Sequence, residues 1–146
     1  MNNSGNVFLD YSCLNMAEGL LSAGVENTHV VFDVFFREIP DKGGFAIAAG
    51  LEQIIEYVKD LHFGPADIEY LRNRNLFSEE FLQYLADFRF TGDIWAVPEG
   101  TPIFTHEPII TVKAPAIEAQ LIETFLLLTI NHQSLIATKA NRIVRA

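Results

Sequence analysis

The sequence predicts an α+β fold, and three observations carry that expectation. The segment His29–Glu38 (HVVFDVFFRE) is dense in β-branched and aromatic residues, which suit a pleated, half-buried surface. Three further extended runs, Asp93–Val97, Pro102–Phe104 and Pro108–Val112, are separated by Pro-Glu-Gly and Thr-His-Glu, the punctuation of antiparallel hairpins. Elsewhere apolar residues recur at intervals of three and four, most extensively from Ala116 to Ala146, which is the helical period. The expectation is therefore helices packed on a small, mostly antiparallel sheet, in one domain over residues 1–146.

Taken in order, Leu14, Ala17, Leu20 and Leu21 recur at helical spacing, with Gly24 as a stop. The strand His29–Glu38 follows, then a turn by composition at Pro40-Asp41-Lys42-Gly43-Gly44. Residues Phe45–Phe88 read as helical. Leu51, Ile54, Ile55 and Val58 form one apolar face, with Glu52, Glu56, Lys59 and Asp60 outside. Gly64-Pro65 breaks this pattern, and Asp67–Leu71 and Ser78–Phe88 form two shorter helices. Ser78 is the N-cap of the second, and Phe81, Leu82 and Leu85 are its buried stripe. After the strands, Ala116–Ala146 is helical, with Asn131-His132-Gln133-Ser134 read as a polar break between two helices. The chain stops at RIVRA with neither Gly nor Pro, which leads one to expect part of a longer product.

Composition narrows the function classes. The 146 residues are 49% apolar and 20% charged, enough apolar surface to offset the entropy of ordering one domain. Ten Lys and Arg stand against nineteen Asp and Glu, a net charge of −9. No basic patch is present to follow a phosphate backbone, so no nucleic-acid partner is expected. One cysteine, Cys13, cannot pair within the chain, and a reducing, cytoplasmic setting is the simpler reading. The N-terminus MNNSGNVFLD has no secretory pattern, and the apolar run Leu121–Ile130 is interrupted by Glu123, Thr124 and Thr129, too short and polar for a membrane span.

The chemistry-bearing motifs are few. Phosphate-loop, dinucleotide-fingerprint, zinc-helix, paired-cysteine and nucleophile-elbow patterns are all missing from the sequence. His29, His62, His106 and His132 show no metal-ligand spacing. Two stretches remain. Gly43–Leu51 (GGFAIAAGL) reads either as close packing through glycine or as a backbone-lined edge beside a ligand. Asn131–Ser134 with Thr138-Lys139-Ala140-Asn141-Arg142 places polar and cationic groups in an apolar helix. Asn131, Lys139 and Arg142 there form either an ordinary solvated face or an anion-binding one, since Arg forks onto carboxylate or phosphate and Lys serves as a point charge.

A longer pattern overlies these fragments. Asp10…Leu14-Asn15-Met16-Ala17, FDVFFREIP, GGFAIAAGLEQIIEYVKDL, FSEEFLQYLADFRFTGDIWAVPEGTPIF, EPIITVKAP and QLIETFLLLTINHQSLIATKANRIVRA occur in this order. Together they resemble the N-terminal third of the nicotinate phosphoribosyltransferase family, from about residue 10 to the last residue. The resemblance implies an N-terminal α/β portion of sandwich type, whose closing helices, residues 116–146, lead into an irregular α/β barrel. It implies, for the whole enzyme, joining of nicotinate to phosphoribosyl pyrophosphate to give nicotinate mononucleotide in NAD salvage, coupled to ATP hydrolysis with Mg²⁺ on the pyrophosphate. It also implies a homodimer with active sites at the subunit interface.

In that family the phosphate-binding loops and a phosphorylated histidine belong to the barrel, so the chain by itself is expected to be inactive. The family motif Asp-x-Tyr-x-x-Thr-Met, whose Tyr stacks on the nicotinate ring, reads Asp10-Tyr11-Ser12-Cys13-Leu14-Asn15-Met16 here. Ser12 thus stands at the stacking position and Asn15 at the Thr, and a hydroxyl supplies no aromatic face. Carried over by position, the substrate-binding candidates are Ser12 and Tyr11 near the base, with Asn131, Thr138, Lys139 and Arg142 near the mouth of the site. A degenerate stand-alone paralogue, acting as a non-catalytic interaction module, is the alternative that Ser12 and Asn15 favour.

Overall fold

The computed structural model describes residues 9–39 and 43–146. The expectations for the first eight residues and for Pro40–Lys42 of the turn lie outside the described residues. Helix α1 spans Tyr11–Ser22, started by the Asp10 side chain, which accepts the Ser12 and Cys13 N–H groups. It stops as expected at Gly24, whose φ is +68°. There the Gly24 N–H bonds to the Leu21 carbonyl at 2.9 Å and the Val25 N–H to Leu20 at 3.2 Å, the two closing bonds of a glycine-terminated helix.

Strand β1 runs His29–Val34, shorter than the expected His29–Glu38. Among the described residues its one partner is β5, Ile110–Pro115, whose register ends at the pair Val34–Ile110. Beyond that pair no strand among the described residues accompanies it, and the Phe36 carbonyl instead accepts the His106 N–H at 2.9 Å. Strand β3, Asp93–Ala96, lies on the other side of β5, giving the antiparallel order β1-β5-β3. Val112, Ala114 and Ile110 of the central strand point inward and are buried, the alternation a one-sided sheet requires.

Residues 45–50 are a correction to the helical reading of Phe45–Phe88. Ala46–Ile47 form β2, paired with β4, Pro102–Ile103, in a separate two-stranded sheet. Helix α2 (Leu51–Asp60) buries Ile54 and Tyr57, and Ile55 of the expected face is exposed. The helix turns this way because the Tyr57 ring stacks on Phe125, with centroids 3.7 Å apart and planes 12° from parallel. Helix α3 (Pro65–Asn73) starts on proline, and α4 (Glu79–Ala86) starts on Ser78, whose hydroxyl accepts the Phe81 N–H at 3.2 Å. Phe81, Leu82 and Leu85 are fully buried, as their spacing predicts.

The expected break at Asn131–Ser134 does not occur. Helix α5 runs without interruption over Ala116–Arg145. Polar side chains break a helix when they compete for its backbone groups. Here Asn131 and His132 face solvent, while the Ser134 hydroxyl is engaged with Ala49 of the neighbouring segment. The first half of α5 supplies Ile117, Leu121, Ile122 and Leu126 to the core beneath β5.

Gly50 joins β2 to α2 at a φ of +108°, where a Cβ would sit 3.1 Å from Thr129 and 3.2 Å from Gln133. Gly50→Ala therefore adds both backbone strain and crowding against α5, and we expect a loss of about 1–3 kcal/mol in urea unfolding. An unchanged midpoint would contradict this close approach.

Candidate functional site

The second half of α5 gathers the polar residues that the sequence singles out, and their roles divide. Thr138 is buried. Its hydroxyl accepts the Ile47 N–H at 2.8 Å and donates to the Ser134 carbonyl at 2.6 Å. One turn earlier, the fully buried Ser134 accepts the Ala49 N–H at 3.1 Å and donates to the Ala49 carbonyl at 3.3 Å. Two hydroxyls at positions i and i+4 thus hold alternate residues of an extended segment, as a neighbouring strand would. Thr138 is accordingly committed to backbone and holds the Gly43–Leu51 edge in place.

That edge continues into the start of α2. Glu99, from the turn between β3 and β4, accepts the Gly50 and Leu51 N–H groups through one oxygen, both at 2.7 Å. A carboxylate on the positive end of a helix is favourable, and the β-turn is tied further by Gly100 N–H to Ala48 carbonyl at 2.8 Å. Beside it a shallow depression of about 370 Å³ is lined by Leu51, Glu52, Ile55, Glu56 and Glu99. Three carboxylates around an apolar floor disfavour a pyrophosphate there.

Of the remaining candidates on α5, Asn131 and Lys139 are exposed, and Arg142 is half-buried with its guanidinium against Gly43. Of the two readings of GGFAIAAGL, close packing through glycine is the one the geometry carries. Glycine at 43 and 50 does permit close packing, and the segment lies along the polar flank of α5.

Tyr11 and Ser12 stand elsewhere, on the first turn of α1. Ser12 donates both its N–H, at 2.7 Å, and its hydroxyl to Asp10. These bonds, the hydroxyl's foremost, hold the Asp10 carboxyl below its ordinary 3.8. The Tyr11 ring stacks on Phe77 with centroids 6.3 Å apart. Its phenol is drawn to Tyr70, which raises the Tyr11 pKa and lowers that of Tyr70. Arg74 adds to the lowering, with its Nη2 donating to the Tyr70 hydroxyl at 2.6 Å. Cys13 is buried as expected of an inert thiol, its Sγ 3.3 Å from the Thr124 hydroxyl.

The Cys13–Thr124 contact fixes the spacing of the two groups. Thr138 lies fourteen residues further along α5, roughly 20 Å at the helical rise. The described residues therefore bring together Thr138, Arg142 and the Gly43–Leu51 edge, but do not bring Tyr11 or Ser12 to them. Sequence reasoning missed Glu99, Ser134 and the Tyr70–Arg74 pair. Only the placement of Ser134 four residues before Thr138 hinted at a shared face. Among the described residues no three His, Cys, Asp or Glu side chains gather as metal ligands.

Residues 8–131 match the family model described as the nicotinate phosphoribosyltransferase N-terminal domain. A nicotinate phosphoribosyltransferase of Mycobacterium tuberculosis is 45% identical over 142 residues, covering 97% of this chain and 30% of the relative. One from Bacillus subtilis is 42% identical over 130 residues, covering 89% of this chain and 26% of the relative. The crystal structure of human nicotinic acid phosphoribosyltransferase superposes with a TM-score of 0.86 at 31% identity, covering 92% of this chain and 28% of that one. The chain spans less than a third of the length of these relatives. A nicotinate-nucleotide pyrophosphorylase from Pyrococcus furiosus, 16% identical with a TM-score of 0.59, shares the fold.

Two expectations follow from the geometry. Thr138→Val keeps the shape but leaves the half-buried Ile47 N–H without its acceptor, and should cost about 1–3 kcal/mol in urea unfolding; a neutral result would contradict the clamp. Because the folded pKa of Asp10 is depressed, its cap contributes stability above the ordinary pKa and loses it as pH falls through the folded value. The advantage of the natural chain over Asp10→Asn should therefore shrink as pH drops below 3.8, read from unfolding midpoints across an acid series. A difference independent of pH would contradict it.

Proposed function

The chain belongs to the nicotinate phosphoribosyltransferase family, and from that premise we propose that it serves as the N-terminal domain of an enzyme that joins nicotinate to phosphoribosyl pyrophosphate. The match over residues 8–131 is the observation that carries this reading. The product is nicotinate mononucleotide with release of pyrophosphate, coupled to ATP hydrolysis. In such a displacement at the ribose C1 the protein's work is to position two reactants and stabilise charge. The proposed setting is the cytoplasm, and among the described residues no helix is long and apolar enough to cross a membrane.

Within this reading each candidate takes a role its surroundings allow. Asn131, Lys139 and Arg142 offer an amide and two cations along one flank of α5 to an anionic substrate. Thr138 acts through the backbone by holding Ile47. Tyr11 and Ser12 belong to the nicotinate side, with the Tyr11 ring, already stacked on Phe77, as the aromatic group nearest Ser12 in sequence. In this reading Mg²⁺ and ATP belong to the rest of the enzyme.

The separation of the two groups by roughly 20 Å along α5 supports a domain that is inert when assayed alone. With nicotinate, phosphoribosyl pyrophosphate, ATP and Mg²⁺ supplied, we expect no nicotinate mononucleotide from the 146 residues. Turnover abolished by Lys139→Ala would overturn that. The second reading, a degenerate paralogue, draws on Ser12 and on the engagement of Tyr11 with Phe77. A chimera separates the two: the chain replaces the matching segment of the Bacillus subtilis relative. Product formation supports the enzyme domain, and a folded but inactive chimera supports the paralogue.

A further inference from the structure

The chain carries four tyrosines, and one of them has surroundings unlike the rest. Tyr70 lies on α3 and is 51% exposed. Arg74, one turn further along, bends back over it, with Cζ 4.8 Å from the ring centroid. Its Nη2 donates to the Tyr70 hydroxyl at 2.6 Å. From the first turn of α1, the Tyr11 phenol is turned to the same oxygen. Groups from two helices thus converge on one exposed phenol oxygen.

Donors that converge on an oxygen acid stabilise its anion. Tyr70 is accordingly held below the ordinary tyrosine value, first by Tyr11 and next by Arg74. The acids of α3 are engaged elsewhere: Asp67 accepts the Gly64 N–H at 2.9 Å, and Glu69 acts on Arg72. Arg74 itself responds to the two phenols, and among the described residues it forms no salt bridge. The carboxyl end of α3 opposes an anion there, but its roughly half charge is smaller than that of a whole guanidinium. The other tyrosines differ. Tyr57 is buried against Phe125. Tyr84 is half-buried, and burial, then Glu118 and Glu26, raise its pKa. Tyr11 is raised chiefly by its bond to Tyr70.

An oxygen nucleophile gains strength as its anion becomes accessible. Arg74 also keeps N–H donors beyond the one on Tyr70, since a guanidinium has five. They can meet an oxyanion that grows beside the phenol. Attack on a carbonyl makes such an oxyanion, and alkylation does not. We propose that Tyr70 is a modification site of this chain, whose phenol oxygen takes an acyl group from an activated acyl donor with Arg74 beside the carbonyl oxygen. The Tyr70 oxygen bonds to the carbonyl carbon as that carbon's bond to the leaving group breaks. The phenol proton passes through water to the departing group. The site does not depend on the catalytic reading.

Limited treatment of the 146-residue chain with N-acetylimidazole near neutral pH, followed by peptide mass spectrometry, reads the acetylation of each tyrosine. Tyr70 should react at least about fivefold faster than Tyr11, with Tyr84 and Tyr57 slower still. Arg74→Gln should slow Tyr70 at least about threefold. Because the Tyr70 pKa is lowered and that of Tyr11 raised, the Tyr70 rate in the natural chain should climb at lower pH than the Tyr11 rate. That profile decides the question even where Arg74→Gln disturbs the fold. Tyr11 reacting as fast as Tyr70, a Tyr70 rate unchanged in Arg74→Gln, or a Tyr70 profile that rises no earlier than that of Tyr11 would each overturn the proposal.

Discussion

The fold depends on one constraint, that α5 must bury two chemically different stripes along its thirty residues. Its first half meets the three-stranded sheet and α1 through Ile117, Leu121, Ile122 and Leu126, where burial of apolar area supplies the drive. Its second half meets the extended segment around Ala46–Gly50, which among the described residues has just the two-residue β4 as a strand partner. Backbone N–H groups buried there must find acceptors, and Ser134 and Thr138 provide them. A leucine at either position would pack but leave an amide unpaired, so the hydroxyls decide where the segment lies.

The placement of the Gly43–Leu51 edge follows from that decision. Hydrogen bonds from Ile47 and Ala49 fix it on α5, and Glu99 fixes its far end at the first turn of α2. Gly50 is then favoured by its φ of +108° and by the tight 3.1–3.2 Å approach a Cβ would make to Thr129 and Gln133. The same arrangement leaves Asn131 and Lys139 exposed and Arg142 half-buried against Gly43. The relatives that the chain matches are about three times longer than this chain. The α1 start and this flank of α5 are separate contributions to one proposed reaction.

Much of the architecture was legible because it is periodic. The helices around Leu14, Ile54 and Phe81 and the strand at His29 follow from local pattern, whereas the hairpins read from Pro-Glu-Gly and Thr-His-Glu do not form, since β3 pairs with β5 and β4 with β2. What was not legible rests on distant partners. The polar Asn131–Ser134 run read as a break, because nothing nearby in sequence reveals that Ser134 bonds to Ala49, 85 residues away. The face of α2 shifted to Ile54 and Tyr57 because Tyr57 stacks on Phe125. Glu99 could not be read as a cap, since its helix lies 48 residues earlier. Thr138, read from the sequence as a substrate-binding candidate, turns its hydroxyl to the backbone of Ile47 and Ser134.

The hydroxyl clamp is most directly tested by amide hydrogen exchange at Ile47 and Ala49, followed by NMR. A segment held to α5 by Thr138 and Ser134 predicts slow exchange at both amides under native conditions, with Ile47 losing protection in Thr138→Val and Ala49 in Ser134→Ala. Exchange at both amides as fast as in an exposed loop, in the natural chain, would contradict the account.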